Sequence, residues 1–510
     1  MSTGGGDPKV NRPAGHLASS TVFVLAGQTA FVACGFLLHV YLGHAIDPAT
    51  YGLYGVVMAV LTWTQNALNN GVPWAVRRFL PADQGASRDI LRIGLQCQVM
   101  VALVLYALCM VLAPWLAAAV RDPGLTWYLR IAFTDLLGMA LYTFYRGALN
   151  GLRLFAAQGL AVAAYAVGKL GLSVLLVHMG YSLSGALIGN ALGSVAGWLV
   201  AFLLLRRRMR SASTRAEKAT SGCSRRYDAR AMLGFGLPTV LFALASSFLT
   251  TVGVIGVKAL VSDGTQVGYY VAANLMATAP TMMLAAFSRT LFPHLAGSIA
   301  NEDWGLTRAY IRSGVRYLAL TVLPGAFLVL GTSPQLITLA YPEHYAAAAP
   351  LLNLLFIGTG LHSLYMIFAN AILAEGRVFL ALIIPVGLIP ASLVVIWYLT
   401  SQIGPLGAAY GTVLVLTLLV VLAAAYVMRR FAVRLDWASL MRVSTASLVI
   451  YALTRLLVVQ GAWLVPYCAA LGAAYLALLC LMGELDIRAL SNWRPMLSAA
   501  LGGKGSKITT

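Results

Sequence analysis

Asp-Pro-Ala-Thr-Tyr-Gly-Leu-Tyr occupies residues 47–54, and Asp-Gly-Thr-Gln-Val-Gly-Tyr-Tyr returns far downstream at residues 263–270. Each copy opens with an acid, and in the first copy Asp47 can cap a helix whose opening turn Pro48 fits. The echo is one of several. Arg-Gly-Ala-Leu-Asn-Gly-Leu-Arg-Leu-Phe (146–155) matches Asn-Ala-Ile-Leu-Ala-Glu-Gly-Arg-Val-Phe (370–379), pairing Arg153 with Arg377 and Phe155 with Phe379. Gly185–Gly189 matches Gly407–Gly411, and Arg206-Arg207 matches Arg429-Arg430. Order and spacing are kept, so the chain reads as two copies of one unit.

The unit is a membrane unit. Of 510 residues, 60% are apolar and 10% charged, with a mean hydropathy of +0.82, too little polar surface to cover a water-soluble globule. About fourteen apolar stretches of roughly 20 residues or more are each long enough to cross the bilayer as a helix. The runs are continuously apolar, which excludes the alternating pattern of an outer-membrane barrel. The first, Leu17 to about Leu42, is too long for a signal-peptide core and reads as retained crossing 1. Cys34, Cys97, Cys109, Cys468 and Cys480 fall in apolar runs and Cys223 in a basic loop. None suggests a disulfide framework or a metal site, and no cofactor is expected.

A net charge of +19 raises the question of nucleic acid, and the placement of the charge answers it. Arg77, Arg78, Arg88 and Arg92 share one loop, residues 206–230 form a second basic loop, Arg308, Arg312 and Arg316 lie in a third, and Arg429, Arg430, Arg434 and Arg442 in a fourth. These are alternate loops. The intervening loops at 44–50, 179–182, 263–266, 342–345, 401–404 and 460–461 hold no Lys or Arg. The positive-inside rule puts the basic loops and both termini in the cytoplasm, and no nucleic acid is needed to explain the charge. Contact of the loop 206–230 with anionic lipid is the functional alternative to topology alone.

Six crossings return the chain to its starting side, so the copies run parallel, an arrangement used by transporters with a site between the halves. The expected organisation is a cytoplasmic tail (1–16), an N-lobe of crossings 1–6 (17–205), a basic inter-lobe loop (206–230), a C-lobe of crossings 7–12 (231–430), crossings 13 and 14 (431–483) and a cytoplasmic tail (484–510). Crossing 6 carries Gly185, Gly189, Gly193 and Gly197, a seam where another helix can approach closely within the lobe.

Tyr-Gly-Leu-Tyr after an acidic outer loop, Phe-Leu-Pro (79–81), Asn-Gly-Leu-Arg-Leu-Phe (150–155) before crossing 5 and Gly-Ala-Leu-Ile-Gly in crossing 6 together resemble the polysaccharide exporters of the MOP flippase superfamily. These Wzx-type flippases turn undecaprenyl-diphosphate-linked oligosaccharides between leaflets. The resemblance implies an all-α integral membrane fold of two six-helix lobes, with crossings 1, 2, 7 and 8 lining a cavity that faces each side in turn. It also implies a bacterial cytoplasmic (inner) membrane, a polyprenyl-diphosphate-linked oligosaccharide and membrane lipid as partners, and contact with polymerase and chain-length proteins of the same pathway. Sugar hydroxyls and phosphates are costly in hydrocarbon whereas the polyprenyl tail is not, which suits a polar cavity with the tail left in lipid.

Polar residues in apolar helices are the site candidates, since each is costly without a partner or a wet cavity. Crossing 1 offers Gln28 and His39, crossing 2 Gln65, Asn66, Asn69 and Asn70, and crossing 8 Asn274. Asn66, Asn69 and Asn70 share one helical face flanked by Trp63 and Trp74, a sugar-facing stripe or an interhelical glue. Lys258 and Arg289, on crossings 7 and 8, are cations that would attract a diphosphate at either end of its path, or that snorkel to the interface. Asp135 and Lys169 both lie roughly 20 Å from the inner surface. An ion pair between adjacent helices is expected, structural or proton-coupling.

Multidrug extruders of the same superfamily commonly use a carboxylate in crossing 1 or near crossing 7. Crossing 1 has no Asp or Glu here, and crossing 7 none before Asp263. Lipid II flippases carry arginines in crossing 1, absent between Arg12 and Arg77. A polymerase or ligase would need a long outer loop with catalytic groups; the outer loops are short and hold no nucleophile, metal cluster or carboxylate pair, so the chain does not read as an enzyme. No ATP-binding loop is present, leaving an ion gradient, the membrane potential or consumption of product to drive transport.

Overall fold

The computed structural model describes residues 14–82, 87–216 and 229–484. Most of the expected N-terminal tail, the middle of the basic loop with Cys223, and residues 485–510 lie outside the described residues. Among the described residues there are sixteen α-helices and no strands. The first half comprises α1 (Ala14–Ala45), α2 (Pro48–Asn70), α3 (Val72–Ala82), α4 (Ser87–Ala119), α5 (Leu125–Phe133), α6 (Asp135–Gly151), α7 (Phe155–Leu176) and α8 (Ser182–Ala216). The second comprises α9 (Ala229–Leu260), α10 (Gly264–Ala300), α11 (Trp304–Ala340), α12 (Ala349–Ala374), α13 (Val378–Ile403) and α14 (Pro405–Phe431), followed by α15 (Trp437–Leu456) and α16 (Leu464–Leu481).

Nine stretches among the described residues are long and apolar enough to cross a membrane. One of them, Phe155–Met209, is 55 residues long and folds back at Ser182 into α7 and α8. Stretches such as α2 and α15 fall outside that count because amides, hydroxyls or arginines interrupt their apolar runs. The outward surface is apolar where lipid would lie, with Val104, Val111, Trp115, Val394 and Trp397 exposed. The protein is a multi-pass membrane protein.

The buried core has three main parts. One lies within the first half, around Val76, Phe144 and Tyr165, and one within the second, around Ile311, Phe368 and Leu419. The largest joins the halves through α2 and α10. A smaller cluster seats α15 and α16 on α11. That hairpin is fastened on the arginine-bearing face by Glu484, whose carboxylate accepts from Arg316 Nε at 2.7 Å and Arg442 at 2.8 Å and also from the Ser439 hydroxyl. Arg430 and Arg377 converge on Glu375 in the same way, at 2.6 and 3.3 Å. Four of the arginines on this basic face therefore hold helices together besides marking topology.

Backbone geometry repeats between the halves. Ser182 (φ 44, ψ −128) opens α8 much as Gly404 (φ 63, ψ −143) precedes α14. Arg153 (φ 58) ends α6 as Gly376 (φ 82) ends α12. Both ends close with the same pair of backbone bonds, Arg153 N to Asn150 O with Leu154 N to Leu149 O, and Gly376 N to Leu373 O with Arg377 N to Ile372 O. Leu154 (φ −86, ψ 62) and Arg377 (φ −85, ψ 59) are then equivalent. The sequence match of Arg153 with Arg377 is thus corrected by one residue: side-chain identity aligned the arginines, whereas the left-handed position aligns Arg153 with Gly376. The glycine seam of α8 packs within the first half, Gly189 against Ser173, Gly193 against Lys169 and Gly197 against Tyr165 of α7.

Ser182 and Arg153 occupy conformations that L-residues adopt at a cost of about 1–2 kcal/mol. Ser182→Gly and Arg153→Gly are each expected to stabilise the protein by about 1 kcal/mol, and Gly404→Ala to destabilise it. Thermal unfolding of the purified protein in detergent checks the signs.

Candidate functional site

The quoted stretch and its echo meet. Asp47 and Asp263 cap α2 and α10, accepting from Thr50 N and Thr265 N at 2.9 Å each. Burial works against the charge of Asp47, but the N–H groups of Thr50 and Ala49 outweigh it and hold the carboxyl below its usual range. The caps start two helices that cross within touching distance on the face opposite the arginines. A Cβ at Gly268 would lie 2.1 Å from Pro48 O, and one at Gly52 would lie 2.7 Å from Gly268 N.

Beside this crossing the two halves exchange polar contacts. Tyr51 and Tyr341 are fully buried and their hydroxyls lie 3.0 Å apart. Tyr51 also meets His39 Nδ1 at 3.0 Å. Tyr341 follows α11 and lies against Gly43 of α1, where a Cβ would sit 2.4 Å from the ring. Tyr345 and Tyr269 extend the aromatic cluster, with ring centroids 5.4 Å apart. Lys258, at the end of α9, pairs with Asp122, in the loop between α4 and α5, at 2.8 Å.

A second seam between the halves runs down α2 and α9 toward the basic face. Trp63 Nε1 donates to Leu244 O at 3.0 Å, Asn66 Nδ2 to Ser247 Oγ at 3.1 Å, and Thr239 Oγ1 to Asn70 O at 2.8 Å. The amide stripe of α2 thus faces α9. Asn70 donates back to Asn66 O of its own helix at 3.0 Å. Asn69 keeps a buried Oδ1 without a hydrogen bond. Trp74 is exposed on α3 with the Arg77 guanidinium 5.5 Å from its ring.

Asp135 lies deep in the first half, at the N-terminus of α6 where the helix dipole favours a carboxylate. Gln65 Nε2 and Asn190 Nδ2 donate to its Oδ2 at 2.5 and 3.0 Å, and its Oδ1 is buried without a partner. Lys169 is within electrostatic range of Asp135 and of His39. Among the described residues Asp135 and Lys169 form no ion pair within 4.0 Å. The expected direct pair is replaced by two amides, which reach the carboxylate from α2 and α8 while α7 keeps Lys169 beyond bonding distance.

Of the other candidates, Gln28 and Asn274 are part-buried on α1 and α10 with no hydrogen bond among the described residues, and the side chain of Arg289 lies outside them. The structure therefore gathers His39 and Lys258 at one seam, Asn66 and Asn70 at the other, and Asp135 with Gln65 between. Sequence reasoning missed Tyr51, Tyr341, Asp122, Ser247 and Asn190. Asn190 was findable, being a polar residue in an apolar helix. Tyr341 was not, since only the fold brings it to Tyr51.

A family profile described as polysaccharide biosynthesis protein matches residues 17–298. The chain belongs to this family. A search of curated proteins returns no match. Among solved structures the chain is similar to the lipid II flippase MurJ in an inward closed conformation, with a TM-score of 0.69 and 13% identity over 94% of this chain and 100% of that one. It is also similar to a multidrug resistance MATE family transporter in an inward-facing conformation, with a TM-score of 0.60 and 14% identity over 81% and 98%. A MOP superfamily transporter from Pyrococcus furiosus matches with a TM-score of 0.60 and 14% identity over 82% and 95%. The fold of this polysaccharide biosynthesis family member is that of the MOP superfamily.

The hydrogen bonds to Asp135 generate a test. Asp135→Ala leaves two buried amide donors without an acceptor and is expected to cost about 1–3 kcal/mol, whereas Asp135→Asn keeps an acceptor and most of the stability. Unfolding midpoints in detergent decide. Equal loss in both variants, reversed by Lys169→Ala, would show that the lysine charge dominates instead.

Proposed function

We propose that this protein moves a polyprenyl-diphosphate-linked oligosaccharide across the bacterial cytoplasmic membrane by alternating access. The observation that carries the reading is the pair of seams joining the halves, one near each face, in a member of a polysaccharide biosynthesis family. In this reading residues 17–205 and 231–430 are two lobes, residues 431–483 add a helix pair, the crossings number fourteen, and the basic face with both termini is cytoplasmic.

Opening the α2/α9 seam would free Asn66, Asn69, Asn70 and Trp63 toward the cytoplasmic side. The Asn66 amide, which now bonds across the seam, would then meet sugar hydroxyls together with those of Asn69 and Asn70, and Trp63 would offer its ring. Gln28, Asn274 and Arg289, on α1 and α10, would join the same cavity in this reading. Opening the opposite seam would release Tyr51, Tyr341 and Lys258. Moving a negative diphosphate outward is favoured by an inside-negative potential, by about 2.3 kcal/mol per charge per 100 mV. Asp135 and Lys169, deep in the first half and not bonded to each other, are the groups on which a proton-coupled step would act.

A multidrug exporter of the same superfamily is the second reading, favoured only by the shared fold. Deleting the gene distinguishes them. The flippase reading expects completed lipid-linked repeat units to accumulate on the cytoplasmic leaflet, inaccessible to an impermeant probe, with loss of the polymer. Unchanged lipid pools with altered drug sensitivity would contradict it.

A further inference from the structure

We propose that Lys258 is a shared ligand: it holds Asp122 while the opposite face is closed and passes to the diphosphate of the departing substrate when that face opens. The proposal rests on the flippase reading above and concerns how the exit is timed. Lys258 belongs to the second half and Asp122 to the first, so their 2.8 Å contact must break whenever the halves part on this face. Lys258 also lines a cleft of about 70 Å³ with Ala49, Leu53, Gly264 and Val267, at the crossing of the two repeated corners. That space holds about two waters and no diphosphate. Separation of α2 and α10 would widen that cleft beside the ammonium.

Three observations favour exchange over a fixed structural pair. First, the cation needs no carboxylate to stay where it is, because it ends α9 and meets the negative pole of that helix. Second, both side chains are partly exposed, at 17% and 28%, where such a pair shifts an equilibrium by a factor of about five or less. A diphosphate, with more charge and more acceptor oxygens than one carboxylate, displaces such a partner readily. Third, the neighbouring carboxylates of Asp47 and Asp263 are engaged by the N–H groups of Thr50 and Thr265. Asp122 is the acid that the lysine contacts. The exchange makes opening and release one event: parting the halves frees the ammonium from Asp122 when the substrate head arrives.

The test compares Asp122→Asn and Lys258→Gln in the full-length protein in lipid nanodiscs. Binding of farnesyl diphosphate is measured, with uncharged farnesol as the control. Reactivity of Tyr341→Cys toward an impermeant thiol reagent, in a cysteine-free background, reports opening. Both substitutions remove the ion pair and are expected to raise that reactivity alike. They are expected to split on binding, Asp122→Asn tightening farnesyl diphosphate about fivefold and Lys258→Gln weakening it below wild type. Equal binding by the two variants overturns the exchange and leaves only a latch. The swapped pair Asp122→Lys with Lys258→Asp serves if a single variant fails to fold. It keeps the latch but takes the cation from the end of α9, so wild-type affinity there also overturns the proposal. If wild type prefers farnesyl diphosphate no more than farnesol, the flippase reading itself fails and the proposal with it.

Discussion

The approach of α2 to α10 at Gly52 and Gly268 is the constraint on which the opposite face depends. Any side chain at either position would collide with backbone, 2.1 Å from Pro48 O or 2.7 Å from Gly268 N. Because the helices touch there, Tyr341 reaches Tyr51, Lys258 reaches Asp122 and the aromatic cluster closes over the gap. The two capping acids set where each helix begins, and so bring the two glycines level.

The polar contacts closing this face suit the opening that the proposed alternating access requires. A hydroxyl pair and a part-exposed ion pair each contribute only about 1 kcal/mol or so, and the glycine contact contributes packing without a side chain to interdigitate. On the basic face the α2/α9 seam is likewise made of single hydrogen bonds. Within the first half, α8 packs glycine against the α7 backbone at Gly189 and Gly193, and Asp135 is bonded from two helices. The largest apolar cluster also spans the halves, so the proposed rocking has to part apolar packing as well as the polar contacts between them.

Much of this was legible in the sequence, for identifiable reasons. The membrane class and the all-helical fold follow from continuous apolar runs, and the repeat from a capping acid, a glycine and a tyrosine kept in order. Local signals placed the cap at Asp47 correctly. Partnerships across the chain were not legible. Depth along a helix put Asp135 and Lys169 at one level, yet it could not tell that Gln65 and Asn190 lie nearer to the carboxylate. Spacing put Asn66, Asn69 and Asn70 on one face but not which helix that face meets. The Arg153 match slipped by one residue because sequence compares side chains, and the repeat is kept in the left-handed turn that Gly376 fills at no cost and Arg153 fills under strain.

The central claim is that the repeated corners part during transport. The most direct measurement is the distance between spin labels at Arg121 and Ser262, exposed positions of the two halves beside the Asp122–Lys258 pair, in nanodiscs with and without farnesyl diphosphate. The account predicts a short-distance population matching the closed crossing and a second, longer population that grows with the ligand. A single short distance under both conditions would contradict it, leaving the crossing a permanent joint rather than a gate.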